Sequence, residues 1–440
     1  MSIPAANTAP VTQRIAALDV LRGVAICGIL LMNIYSMGGV REYPLTSFPP
    51  RADPEWVSWG IQSLFVQGAM RGLFTLLFGA SMLLMLRRAE DGHVAPIDAW
   101  ARRSIALMGF GVLQFAVLIW PGEILWNYGV SGLFLLAFRT ARPRTLLLAA
   151  ALLIGGLSLN AAHWTGQEVQ QLREGHAAAR AAASGGTITP DQRAALAVER
   201  ANLAAVHPSE QVVKREISRR THVGSLLRWS AGYWTEQNLT FTGWIDVAES
   251  IAFMLVGMAL FRAGILTGQA PAATYRIMVL AGYGGGLAWR GFVVWLNVRS
   301  NLDMGSPGVD PLAWTLSQAM FEPARLLVTI GHVGLVLMLF RSGVLGAAPI
   351  LQALGRMALT VYCLQSAIGS LLFYGVGLVG QLSLPQLWLV AAGIWIVTAL
   401  FCRWWFGRYA MGPAEQVLRW IAYGERPRHK PAVGSVSVAC

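Results

Sequence analysis

Hydrophobic and polar positions separate along this chain into long apolar runs broken by short polar turns. A membrane-spanning helix needs about 20 mostly apolar residues. Ten runs are read as spans: 20–38, 70–87, 103–120, 123–139, 143–162, 240–262, 274–298, 318–341, 354–379 and 384–406. The pattern predicts an all-α, polytopic membrane helical bundle of about ten transmembrane helices. The first run starts too late for a cleaved signal peptide, and no small-x-small site follows it at a sensible distance. It is therefore expected to stay as helix one. The runs divide the chain into an N-terminal membrane half (1–162, five helices), an extracytoplasmic helical loop (163–239) and a C-terminal membrane half (240–440, five helices and a cytoplasmic amphipathic tail).

The segment 163–239 is Ala-rich and reads as helical, with a break at Ser184-Gly185-Gly186. Thr189-Pro190-Asp191-Gln192 then has the form of a helix start, with Thr as N-cap, Pro in the first turn and Gln three residues on. The stretch 209–220 predicts a charged helix with Glu210 four residues before Lys214. Two readings stand for this segment: a solvated helical hairpin capping the outer face, or a lid over an outward-facing pocket. Residues 54–69, with Trp56 and Trp59, are expected at the membrane interface, and 413–424 as a short amphipathic helix. No internal repeat is evident, which counts against an inverted-repeat transporter.

Composition narrows the class. A chain of 440 residues would accommodate two or three soluble domains. Yet 55% of its residues are hydrophobic, only 13% are charged, and mean hydropathy is +0.51. Soluble domains carry about 25% charged residues. A soluble enzyme, a disordered chain and a nucleic-acid binder are all excluded on this ground, despite a net charge of +12.

Placement of the arginines explains that charge. With both termini in the cytoplasm, the inner connections collect Arg87, Arg88, Arg102, Arg103, Arg139, Arg142, Arg144, Arg262, Arg276, Arg341 and Arg356. The tail adds Arg403, Arg408, Arg419, Arg426, Arg428 and Lys430, while the outer turns 121–122 and 380–383 carry no Lys or Arg. The positive-inside rule thus predicts an N-in, C-in topology. Cys27, Cys363, Cys402 and Cys440 form no C-x-x-C pair, and the histidines lack metal-ligand spacing. Neither a disulfide nor a metal site is expected.

Charge at bilayer depth costs about 2.5–3.5 kcal/mol per residue on insertion scales, so such residues mark function by default. Asp19 and Arg22 are spaced to pair on helix one. Asn33 lies eleven residues beyond Arg22, about three full turns, and so shares its face. Glu123, Asn127, Arg71, Arg290, Glu322, Arg325 and His332 fall toward the outer half. Asn33, Arg71, Glu123, Arg290, Glu322 and Arg325 are expected to line one outward-opening cavity, or to form separate buried ion pairs. On the inner side Arg22 and Arg356 are candidate phosphate ligands, guanidinium being suited to that group.

Several stretches carry a resemblance: LDVLRGVAICGILLMNI at 18–34, RGLFTLLFGA at 71–80, GEILWNYGVSG at 122–132, GRMALTVYCLQS at 355–366 and GPAEQVLRWIAYG at 412–424. In that order, across nearly the whole chain, they resemble the YeiB family of bacterial integral membrane proteins, whose function is largely unknown. Val361 stands where that family usually has Asn, and Glu123 where Asp is common. The family in turn is distantly similar to the transmembrane acyltransferases, which include heparan-alpha-glucosaminide N-acetyltransferase and bacterial O-acyltransferases. The shared first-helix D-x-x-R-G motif is matched by Asp19, Arg22 and Gly23. O-acyltransferases place a catalytic His fourteen residues after that Asp, where this chain has Asn33. The lysosomal enzyme has Asn there and a His eleven residues later, where this chain has Pro44.

The resemblance implies a multi-pass protein of the bacterial inner membrane that moves an acyl group from cytoplasmic acyl-CoA to an acceptor in an outward-facing cavity. Acyl-CoA is then a co-substrate, with no tightly bound cofactor. Arg22 and Arg356 hold it. Asn33, Glu123, Glu322 and His332 are the catalytic candidates, and Asp19, Arg71, Asn127, Arg290 and Arg325 the substrate-binding ones. The expected partners are the lipid bilayer and a small-molecule, lipid or glycan acceptor, not nucleic acid, with a homo-oligomer left open. Two other readings stand beside it: a transporter or flippase for an amphipathic solute, and a non-catalytic membrane binding protein.

Overall fold

Helix starts follow caps written in the sequence. Asp53 accepts from the Trp56 amide at 3.0 Å and Pro54 occupies the first turn of the helix it opens. Thr189 and Gln192 form the reciprocal capping box, at 3.2 and 2.9 Å. In the computed structural model, which describes residues 16–41, 45, 50–88, 94–345 and 348–424, seventeen α-helices account for most of the described backbone. No β-strand occurs among the described residues.

The first half comprises α1 (Ala16–Gly38), α2 (Pro54–Ile61), α3 (Ala69–Arg88), α4 (Pro96–Ala116), α5 (Leu125–Leu135) and α6 (Pro143–Ala183). Next come α7 (Pro190–Val206), α8 (Glu210–Thr221) and α9 (Val223–Leu239). The second half holds α10 (Phe241–Arg262), α11 (Ala272–Ser300), α12 (Pro311–Ala319), α13 (Phe321–Arg341), α14 (Pro349–Arg356), α15 (Ala358–Ser370), α16 (Leu384–Phe406) and α17 (Pro413–Tyr423). Short π-helical turns follow α2 at Gln62–Val66 and α15 at Leu371–Gly375.

Among the described residues eight helical stretches are long and apolar enough to cross a membrane, which makes this a multi-pass helical membrane protein. The other two predicted spans correspond to α4, which carries charge in its first half, and to the shorter apolar stretch Leu125–Phe138. The helix that begins at Pro143 does not stop near 162. Its Gly155-Gly156 pair does not break it, and the helix ends only at Ser184-Gly185-Gly186, so it projects beyond the apolar run and α7 packs along it. Trp56 and Trp59 of the stretch expected at the interface turn inward. They are buried, edge to face at 5.5 Å, in a small core with Leu45, Val206, Leu302 and Leu384. Pro44, Cys440 and the tail residues Arg426, Arg428 and Lys430 lie outside the described residues.

The centre is built from α1, α3, α10 and α13, where Leu21, Ile26, Leu76, Met254, Leu255 and Leu337 are almost wholly buried. Two crossings are backbone on backbone. A Cβ on Gly23 of α1 would lie 2.1 Å from the Leu351 carbonyl oxygen of α14, and one on Gly355 would lie 1.8 Å from that of Asp19. Between α3 and α10, Gly79 and Gly257 stand equally close to Met254 and Leu76. Small residues are what permit helices to approach so closely where water supplies no hydrophobic drive. The Gly23–Gly355 crossing brings Arg356 to the same end of the bundle as Asp19 and Arg22.

Candidate functional site

At that end, the start of α1, the end of α3, the first half of α4, the α14–α15 junction and α17 surround a cavity of about 490 Å³. Arg22, Arg103, Arg356 and Arg419 line it, against two carboxylates, Asp19 and Glu415. Its lining continues through Phe74, Leu77, Phe78 and Leu107 to Tyr128 and Tyr362, and includes Ile124 and Leu125. One cavity thus combines a cationic region with an apolar and aromatic one, at a size within the roughly 300–1,000 Å³ of small-molecule sites.

Each charged group here has a distinct environment. Arg22 donates to Asp19 at 2.9 Å and to Ser81 at 2.9 Å, which fixes it between α1 and α3. Arg356 lies 4.2 Å over the Phe406 ring and donates to the Ala410 carbonyl at 3.2 Å. Glu415 reaches from α17 to the start of α15, accepting from the amides of Leu359 and Thr360 at 2.8 and 3.2 Å and from the Thr360 hydroxyl at 2.6 Å. It satisfies the open amides of a neighbouring helix and complements its dipole. Burial pushes its carboxyl above the ordinary range, partly opposed by these donors. Arg103 has no such tie. It sits about two turns inside α4, 6.0 Å from the rings of Phe78 and Trp100.

Glu123 is not among the residues that line the cavity, although its neighbours Ile124 and Leu125 are. It accepts from the amides of Leu125 and Trp126 at 2.5 and 3.0 Å, which caps the start of α5, and from the Trp234 indole at 2.9 Å. Trp234 belongs to α9 and stacks on Phe115 at 4.3 Å. Thus α9, from the segment expected outside the membrane, packs over the far end of α4 and α5.

The remaining predicted residues fall into separate arrangements. Arg71 and Arg325 both bond Glu249, and Arg325 also pairs with Glu322 at 3.2 Å, forming a buried network with Asp246 4.0 Å from Arg71. Arg290 donates to the carbonyls of Ser63, Leu64 and Gln67 at 3.1, 3.0 and 2.6 Å. His332 bridges the Phe65 carbonyl and the Tyr283 hydroxyl, at 2.8 and 2.7 Å. This pattern fits a ring that donates through Nε2 and accepts through Nδ1. Arg290 and His332 together serve the orphan carbonyls of the π-helical turn. Asn127 accepts from Ser131 at 3.5 Å, and Asn33 is half-buried on α1 with no hydrogen bond among the described residues.

Residues 260–425 match the family described as "Protein of unknown function (DUF418)". The chain is 26% identical to the uncharacterized protein YxaH of Bacillus subtilis (strain 168) over 434 residues, covering 93% of this chain and 94% of YxaH. It is 27% identical to the uncharacterized protein YeiB of Escherichia coli (strain K12) over 432 residues, 92% of this chain and 96% of YeiB. Along nearly its whole length the chain is thus similar to YxaH and YeiB. A further relative, an uncharacterized 39.9 kDa protein of Bacillus acidopullulyticus, is 31% identical over 150 residues, 34% of this chain and 41% of that protein. No solved structure matches the chain.

Sequence reasoning missed Glu249, Asp246, Glu415 and Arg103. Asp246 and Glu249 carried the available signal, being two acids one turn apart inside the predicted span 240–262. Arg103 stood at the predicted edge of its span and was assigned to topology alone. Glu415 gave no signal, because its partner is the backbone of another helix.

Proposed function

We propose that this membrane protein takes an acyl-CoA into the arginine-lined cavity and transfers its acyl group to an acceptor. The observation that carries the reading is the union, in one cavity, of Arg22, Arg356, Arg103 and Arg419 with an apolar lining that includes Leu77, Phe78 and Leu107. Guanidinium suits phosphate, and the apolar part suits an acyl chain. An acceptor hydroxyl or amine attacks the thioester carbonyl, the C–S bond breaks, and CoA leaves as thiolate. The acceptor's proton passes to a base, for which Glu123, next in the chain to the lining residues Ile124 and Leu125, is the candidate carboxylate. The D-x-x-R-G resemblance at Asp19, Arg22 and Gly23 supports the same chemistry, and the arginine placement supports cavity access from the cytoplasm of a bacterial inner membrane.

Calorimetric titration of acetyl-CoA into the purified protein tests the reading. Wild type binds in the micromolar range, and Arg22→Ala weakens binding about tenfold or more, the worth of one charge-assisted hydrogen bond. No binding by wild type at millimolar acetyl-CoA contradicts it and favours transport of another amphipathic solute.

A further inference from the structure

The cavity's four arginines are not equivalent, and the difference points to one of them. Arg22 is held by Asp19 and Ser81, Arg356 by Phe406 and Ala410, and Arg419 lies 5.7 Å over the Tyr423 ring. Arg103 makes no ion pair and donates no hydrogen bond among the described residues, and its Nε is buried without an acceptor. The acid acting on it through space is Glu415, whose oxygens are already occupied by Leu359 and Thr360, while Arg22 repels it. Phe78 and Trp100 give its cation some relief at 6.0 Å, a weak contact at that range.

An uncompensated guanidinium in a mostly apolar setting is costly, and leaving a buried donor unmade adds to the cost. Neither penalty arises if an anion with several oxygens occupies the cavity beside Arg103. The planar fork of guanidinium matches phosphoryl oxygens in pairs. We infer that Arg103 is the specificity-determining residue of the cavity, binding a phosphoryl group of a ligand whose apolar portion lies along Phe74, Leu77 and Leu107. The assignment deepens the reading of the cavity as a ligand site. The phosphoryl group belongs either to a nucleotide-type acyl donor or to an anionic lipid headgroup, two sources with one recognition chemistry.

The test uses the full-length protein in detergent, with acetyl-CoA and lysophosphatidic acid as separate probes, on wild type, Arg103→Met, Arg103→Lys and Arg356→Ala. The expected result is that Arg103→Met weakens binding of at least one probe by about 30-fold, and that Arg103→Lys, which keeps the charge but loses the fork, weakens it less. Melting temperature without ligand separates a binding role from a structural one. It stays level or rises in Arg103→Met, because an unpaired, partly buried charge has been removed.

Acetyl-CoA bound by wild type and lost in Arg103→Met supports both the assignment and the acyl-donor reading. Lysophosphatidic acid bound and lost in the same way, without acetyl-CoA binding, supports the assignment and removes the acyl donor. Unchanged affinity in Arg103→Met overturns the assignment and leaves the acyl-donor reading intact. A lowered melting temperature in that variant makes Arg103 structural and overturns the assignment, as does the absence of binding by either probe.

Discussion

Glu249 shows how a single residue organises the interior. Buried on α10, it is bonded by Arg71 of α3 and Arg325 of α13, so one carboxylate joins three helices. Arg325 is itself almost fully buried and lies 4.4 Å over the Phe253 ring. Replacing one partner of such a network strands the opposite charges, at about 3–5 kcal/mol. Glu249→Gln is therefore expected to lower thermal stability in detergent sharply, whereas the exposed pair Lys214–Glu210 contributes little. Equal melting temperatures for Glu249→Gln and Lys214→Ala would remove the network from its central place. The same residue marks a limit of sequence reading. A charge inside a span announces that it needs a partner, but the partner's identity is a matter of which helices meet. Arg71, Glu322 and Arg325 were legible as buried charges, and their convergence on Glu249 was not.

At the scale of elements, α17 acts as a latch between the cavity and the start of α15. Glu415 makes that contact, and Leu418, Arg419, Ala422 and Tyr423 of the same helix line the cavity. Burial raises the Glu415 pKa in the folded protein. A carboxyl raised on folding contributes stability that is present below its unfolded pKa, near 4.5, and is lost as pH rises through the folded value. The melting temperature of wild type should thus fall more than that of Glu415→Gln as pH is raised above 4.5. A wild-type curve that runs parallel to the variant's contradicts this. The amphipathic pattern of 413–424 predicted the helix, since charge and apolar residues alternate with its period. Its docking on α15 rests on backbone amides, which every sequence possesses and none advertises.

Across the whole molecule, eight of the ten apolar runs coincide with helices long and apolar enough to span, because the bilayer permits few alternatives to a helix of fixed length. Where the runs misled, the cause is physical. The helix from Pro143 runs on to Ala183 because helix propensity does not end where hydrophobicity does. Arg103 lies inside α4 because α4 begins at Pro96, ahead of its apolar run. Asp19, Arg22 and Arg356 do meet around one cavity, through the Gly23–Gly355 crossing, whereas the residues expected to share an outward cavity are distributed over a helix cap, a buried ion network and the support of a π-helical turn. The central claim is that this cavity holds an acyl-CoA with its acyl chain along the apolar part. Photocrosslinking of the purified protein with an acyl-CoA bearing a diazirine on the acyl chain, followed by peptide mapping, tests it most directly. Labels on Phe74, Leu77, Phe78 or Leu107 that excess acetyl-CoA suppresses are the predicted result. Labels confined to lipid-facing residues such as Leu148, Leu152 and Leu389, unaffected by acetyl-CoA, would contradict it.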